Sequence, residues 1–245
     1  MCSNTNRNSL WPCCKCIFQQ SSEKDIYFKK RPKNNPSIVH YFSLNQLKKD
    51  CVLNKNFFTL YKKFCPGPLT FVLKIKKESQ ISKLVTNNKK TLAVRFPKNR
   101  IARKLLKIIS YPLAAPSANI STKISPVSAK DVKEEFGKKI KFILNGGNSK
   151  IGLESTIINL VKKPEILRLG GIEIEKISKA LKKKITYKSK KNKILAPGQG
   201  KVHYSPHIPM RLNIKNPHKD EAYLLIKKRK IRNKNYFYLL KNKNL

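Results

Sequence analysis

"KKRPKNNPSIVHYFSLNQLKKDC", residues 29–51, passes through three textures in one run. Residues 29–36 are basic and stiffened by Pro32 and Pro36. On an extended backbone Lys29 and Arg31 project to one side, because side chains alternate along a strand. A guanidinium forks onto phosphate oxygens and an ammonium adds a point charge, although an ordinary solvated basic loop has the same composition. "SIVHYF" (37–42) is β-branched and aromatic at strand length. "SLNQLKKDC" (43–51) then predicts a short helix with Ser43 as N-cap.

Strand-then-helix recurs outward from this stretch. "FFTLYKKF" (57–64) predicts a helix stopped by Pro66-Gly67-Pro68. "LTFVLKI" (69–75) and "TLAVRF" (91–96) are strands, and "NRIARKLLKII" (99–109) has apolar residues at helical spacing. "SPVSAKDVKEEFG" (125–137) predicts a helix with Ser125 as N-cap, Pro126 in the first position and Gly137 at the C-cap. "IKFIL" (140–144), "STIINLV" (155–161) and "EILRL" (165–169) are strands, and "EIEKISKALKKK" (173–184) is an amphipathic helix. The alternation implies an α/β or α+β layered fold. Lys184 to Lys193 is a charged linker, and "APGQGKVHYSPHIP" (196–209) is too broken for a core element. "EAYLLIKK" (221–228) opens another strand, and the chain ends before that unit builds a core of its own, which predicts a truncated second α/β domain.

The chain has 245 residues, with 55 Lys and Arg against 13 Asp and Glu, for a formal net charge of +42. That balance fits nucleic acid, a pocket for polyanionic small molecules, or an A/T-rich coding sequence rich in Lys, Asn and Ile codons. No apolar run approaches the ~20 residues of a membrane span, and the first residues lack a signal-peptide core, so a cytoplasmic protein is expected. Of the six Cys, Cys13, Cys14 and Cys16 are adjacent or C-x-C, unlike structural zinc spacing. No metal site and no disulfide scaffold are expected.

Two further loops carry polar groups among small residues. In "PLAAPSANISTKISP" (112–126), Ala114, Ala115 and Ala118 leave room for a ligand beside Ser117, Asn119 and Ser125. The same Ser and Asn residues could equally satisfy local backbone groups. "NGGNSKIGLESTIINL" (145–160) turns at Gly146-Gly147 before a strand opened by Ser155. It holds no phosphate-cradling G-x₄-G-K-[ST].

Taken in order, these segments resemble the YrdC-like enzymes, the threonylcarbamoyl-AMP synthases. The resemblance rests on "KKRPKNNPSIVH", "CPGPLT", "VRFP", "PSANISTKISP", "GLEST", "ILRLG" and "APGQGKVHYSP", and runs from about residue 26 to 209. It implies a twisted mixed sheet flanked by helices, with a concave basic site. The implied layout is a catalytic domain over 27–184, a linker or lid over 185–209 and a truncated C-terminal domain over 210–245. The implied reaction joins L-threonine, bicarbonate and ATP, with Mg²⁺, into threonylcarbamoyl-AMP and pyrophosphate. The adenylate would supply a separate tRNA-modifying machinery acting on adenosine 37. Carried onto this chain, Lys29, Arg31, Ser117 and Asn119 are implied as catalytic. Arg31, Asn35, Thr91, Ser117, Ser125, Arg168 and Tyr204 are implied for ATP, and His40, Arg95, Ala115 and Ser155 for threonine. Lys30 stands where the family has Gly, Leu169 where it has Pro, and Cys65 where it has an aromatic residue.

The family's N-terminal strand and loop, similar to "VAIPTETVYGL", is missing ahead of Lys29. Back-translated with A/T-leaning codons and read one base later, residues 1–28 spell "CVAIPTETVYGLAANAFFNKAVKKIYI". Residues 1–26 are therefore read as an aberrant, out-of-frame segment, and its cysteines need no chemistry. Three alternatives remain at this point: a non-enzymatic module with weak RNA binding, a domain activating carbamoyl phosphate, and an inactive fragment.

Overall fold

The computed structural model describes residues 2–5, 10–15, 36–120, 124–140, 142–187, 209–225 and 235–238. Two compact units divide the chain, Met1–Pro206 and His207–Leu245. The first is built on one mixed sheet. Its strands are β1 (Cys2–Thr5), β2 (Leu10–Lys15), β3 (Ile38–His40), β4 (Cys51–Val52), β5 (Leu69–Ile75), β6 (Thr91–Arg95), β7 (Leu113–Ala114), β8 (Phe142–Leu144), β9 (Thr156–Asn159), β10 (Glu165–Arg168) and β11 (Thr186–Tyr187). They lie in the order β11-β10-β9-β5-β6-β3-β7-β2-β1-β8, with β4 paired to β5. β3 runs parallel to β6 and β5 parallel to β9, whereas β5–β6, β9–β10 and β3–β7 are antiparallel.

Helices form where the caps allow. α1 (Leu44–Asp50) starts at Ser43, whose hydroxyl accepts from the Gln46 N–H while the Gln46 side chain bonds back to the Ser43 N–H, a reciprocal capping box. α2 (Lys55–Phe64) is capped by Asn54, which also donates to the Leu160 carbonyl at 2.7 Å, tying the helix to the end of β9. α3 (Lys83–Thr86) and α4 (Arg100–Ile109) are capped by Ser82 and Asn99. α5 (Ala129–Phe136) departs from expectation: Ser128 is its N-cap, in a capping box with Asp131. Ser125 cannot serve because its hydroxyl is given to Glu154 at 2.8 Å. α6 (Ile174–Leu181) follows β10.

The core lies on one face of the sheet. Val39, Phe71, Leu73, Leu92, Val94 and Ile158 pack there against Leu47 of α1, Phe57 and Leu60 of α2, and Ile177 and Leu181 of α6. Phe57 meets Phe71 edge-on with ring centroids 4.9 Å apart. Ile38, Val72, Ala93, Ile157 and Leu167 form a separate, smaller cluster. A third joins Ala118 to Val132, Phe136 and Ile140 around α5.

Two strands come from the segment read as out of frame: β2 pairs antiparallel with β7, and β1 pairs parallel with β8. The sheet position beside β7 is thus taken by β2. Thr186 and Tyr187, expected in the linker, extend the sheet parallel to β10. The second unit contains a parallel pair, β12 (Tyr223–Leu225) with β13 (Tyr236–Tyr238). Among the described residues no helix is long and apolar enough to cross a membrane.

Asp50 ends α1 next to the core, where it accepts from Tyr41 Oη at 2.8 Å and Ser79 Oγ at 2.6 Å. Replacing Tyr41 by Phe strands half of that carboxylate and should cost about 1–3 kcal/mol. Denaturant unfolding measures it, and an unchanged midpoint would show that the Tyr41–Asp50 bond adds nothing to stability.

Candidate active site

Strand alternation gives the sheet a second face of different chemistry. Register aligns His40 on β3 with Arg95 on β6, and Arg95 with Thr70 on β5. Thr70 Oγ1 lies 2.7 Å from Ser155 Oγ, at the entrance to β9. Arg168 on β10 donates from Nη2 to the Ser155 carbonyl at 2.9 Å and to Ser155 Oγ at 3.1 Å. A polar row thus crosses the sheet from β3 through β6, β5 and β9 to β10. All of these side chains are buried, which apolar packing would not by itself select. Ala115 joins the same region, its N–H donating to the Ile38 carbonyl at 3.0 Å.

The row is cationic. Arg95 is 2% exposed and donates from Nε to the Gly67 carbonyl at 3.1 Å. Burial pulls its guanidinium down to about 9, the nearby Glu154 carboxylate opposes that, and Arg168 adds to it. Burial, and then the charge of Arg95, hold the His40 imidazole well below its usual range, so it stays neutral at pH 7. Neutral His40 beside charged Arg95 suits a single carboxylate: one cation attracts it and no second charge must be matched.

Loops carry the remaining groups. Ala118 is held in the α5 cluster, so the flanking Ser117 and Asn119 are fixed with it, and the Ile120 N–H bonds Glu135 Oε1 at 3.2 Å. Asn119, Ser125, Asp131 and Glu135 line a cavity of about 290 Å³. A smaller hollow of about 130 Å³ is lined by Ser125, Glu154, Leu153, Leu169 and Gly170. Ser125 and Ile124 line both. Asp131 and Glu135 already accept protein donors, so in this region the anionic charge is bound inward.

The structure brings His40, Arg95, Ala115 and Ser155, the residues expected for threonine, to one face of the sheet. Arg168 and Ser125 join them through Ser155 and Glu154. Ser117 and Asn119 stand on the neighbouring loop. Thr91 pairs with Lys74 at the opposite end of β6 from Arg95, about 13 Å away at the rise of a strand. Lys29, Arg31, Asn35 and Tyr204 lie outside the described residues. Among the described residues no group of three or more His, Cys, Asp or Glu is placed to hold a metal.

Sequence reasoning missed Glu154 and Thr70. Glu154 is ion-paired with Arg168, with side chains 10% and 7% exposed respectively. Thr70 is the lone hydroxyl in the otherwise apolar start of "LTFVLKI", a signal that was available. Gly170 was missed as well. A Cβ there would lie 2.4 Å from the Glu154 carbonyl oxygen and 2.5 Å from the Ser155 carbonyl carbon. Gly170→Ala should therefore push residues 154–156 off β5, lowering stability by about 1–3 kcal/mol and weakening anion binding at Arg95. Thermal unfolding and ligand titration read the two effects, and a variant that matches the parent in both would contradict the packing described.

Comparison with known proteins matches this chain to a family. The family Sua5_yciO_yrdC, described as "Telomere recombination", matches residues 13–170, and the family described as "Threonylcarbamoyl-AMP synthase, C-terminal domain" matches residues 172–244. A threonylcarbamoyl-AMP synthase of Pyrococcus abyssi is 42% identical over 199 residues, which is 77% of this chain and 57% of that protein. One of Schizosaccharomyces pombe is 37% identical over 232 residues, covering 82% of this chain and 57% of its own length. The chain therefore spans little more than half of these relatives. The crystal structure of P. abyssi Sua5 complexed with L-threonine superposes with a TM-score of 0.80 at 35% identity, over 84% of this chain and 62% of that one. The first match begins inside the segment read as out of frame and ends just beyond Arg168, and by that span the chain belongs to the Sua5/YciO/YrdC family.

Proposed function

We propose that the chain is a threonylcarbamoyl-AMP synthase, a nucleotidyltransferase that uses L-threonine, bicarbonate and ATP. The observation that carries this reading is the buried Arg95 beside neutral His40, in a chain whose threonine-bound relative shares its fold. In the first step the threonine amine and bicarbonate give an N-carboxylate and water. One carbamate oxygen then attacks the α-phosphorus of ATP, the bond to the β-phosphate oxygen breaks, and pyrophosphate leaves. The products are threonylcarbamoyl-AMP and pyrophosphate.

On this reading Arg95 pairs with the threonine carboxylate, while His40, Ala115 and Ser155 shape the pocket around the amino acid. Ser117 and Asn119, with Lys29 and Arg31, hold the carbamate and the phosphates. This chemistry asks mainly for positioning and charge stabilisation. Asn35, Thr91, Ser125, Arg168 and Tyr204 complete the nucleotide side. Mg²⁺ enters with ATP as part of the substrate complex. The adenylate then passes to a separate machinery that modifies tRNA. A cytoplasmic setting accords with the free thiols of Cys51 and Cys65.

Pyrophosphate release that requires both threonine and bicarbonate is the expected result. It should be assayed with the full chain and with a chain in which residues 1–28 are restored to the "VAIPTETVYGL" frame. Absence of threonine-dependent release from both would overturn the proposal. A pH dependence follows from Arg95, which is charged below about 9 and loses its charge as the pH rises through that value. Threonine affinity by calorimetry should hold across neutral pH and decline above about 9. Affinity that persists well above that pH would take Arg95 out of carboxylate binding.

A further inference from the structure

We propose that Glu154 is a positioning residue that joins the amino-acid half of the site to the nucleotide half, an inference that rests on the synthase reading above. Its two carboxylate oxygens serve different elements. Oε1 accepts from Ser125 Oγ at 2.8 Å, and Oε2 accepts from Arg168 Nη2 at 3.4 Å. The same Arg168 nitrogen donates to Ser155 Oγ at 3.1 Å, and Ser155 meets Thr70 at 2.7 Å. One chain of bonds therefore runs from the loop after residue 123, through Glu154, to the edge of the polar row.

The backbone holds Glu154 in place. Its carbonyl accepts the Gly171 N–H at 2.9 Å, and Gly170 is pressed against it with no room for a side chain. Because the Glu154–Arg168 pair is largely buried, solvent screens it little. Its charge matters as well as its geometry. Arg95 feels both the attraction of Glu154 and the repulsion of Arg168. Among the described residues, the Glu154 carboxylate thus acts on two guanidinium groups, those of Arg168 and Arg95. A shift of Glu154 would therefore move Ser125, Arg168 and Ser155 together and alter the charge presented to the ligand.

The test uses the full chain, with Michaelis constants for threonine and ATP taken from pyrophosphate release. Glu154→Gln keeps the size and an acceptor for Ser125 but removes the charge. It should raise both constants by about tenfold or more, the loss expected for a hydrogen bond to a charged group. Glu154→Asp, which retains the charge, should recover part of that. Ser125→Ala should raise the constant for threonine as well as that for ATP, and the double variant should add little. The proposal is overturned if Ser125→Ala affects ATP alone, or if Glu154→Gln lowers turnover and melting temperature while leaving both constants within about twofold, inside the spread of a site that does not couple. If the parent chain shows no threonine-dependent release, the synthase reading falls and the coupling is read without ligand. The melting shifts of Ser125→Ala and Ser155→Ala should then be non-additive in the parent and additive in Glu154→Gln, and additivity in both backgrounds would overturn the proposal.

Discussion

The structure depends on one register: the pairing of β5 with β6 that sets Phe71 opposite Val94 and Thr70 opposite Arg95. Successive side chains on a strand point to opposite faces, so this pairing sends Phe71, Leu73, Leu92 and Val94 to the helices and Thr70 and Arg95, with Val72 and Ala93, to the other side. A slip of one residue would set Thr70 and Arg95 among Phe57, Leu60 and Ile177, and turn Phe71 and Val94 toward the polar row. The helix-facing core makes that slip costly, and the same core thereby fixes the polar row. Stability on one face specifies chemistry on the other.

Burying a guanidinium is unfavourable unless its donors and its charge are matched. Arg95 meets part of that need through the Gly67 carbonyl and the field of Glu154. Gly67 is itself confined, since a Cβ there would fall 2.2 Å from the Phe64 carbonyl oxygen. At Gly170 the chain approaches residues 154–156 as closely, which keeps Ser155 within reach of both Thr70 and Arg168. The glycines of "PGPLT" and "RLGG" thus act on the site through main-chain contacts that no side chain announces.

Much of the fold was legible in the sequence because local chemistry decides it. The Ser43–Gln46 capping box, the β-branched run of β5 and the proline stop after α2 all follow from short-range preferences. The start of α5 was misread because Ser125 and Ser128 both offer hydroxyls. Asp131, three residues beyond Ser128, and the competing claim of Glu154 on Ser125 settle the choice. The threonine-site set, carried over from a family resemblance, falls on one face, yet nothing in the isolated motifs tells that His40, Arg95 and Thr70 align. That alignment arises from pairing between strands far apart in the chain. Glu154 was hidden for the same reason, since its partners Ser125 and Arg168 come from other loops and strands. Residues 1–26 show the opposite case. Read as aberrant from the sequence, they hold the start of the family match, at residue 13, and backbone pairing, which needs no particular side chain, sets β2 beside β7.

Hydrogen–deuterium exchange of the full chain with and without L-threonine probes the central claim, that the polar row is where the amino acid sits. The account predicts added protection at residues 67–70, 94–96 and 154–156, where the backbone flanks Arg95, Thr70 and Ser155. Protection confined to other segments, with these amides unchanged at saturating threonine, would contradict it.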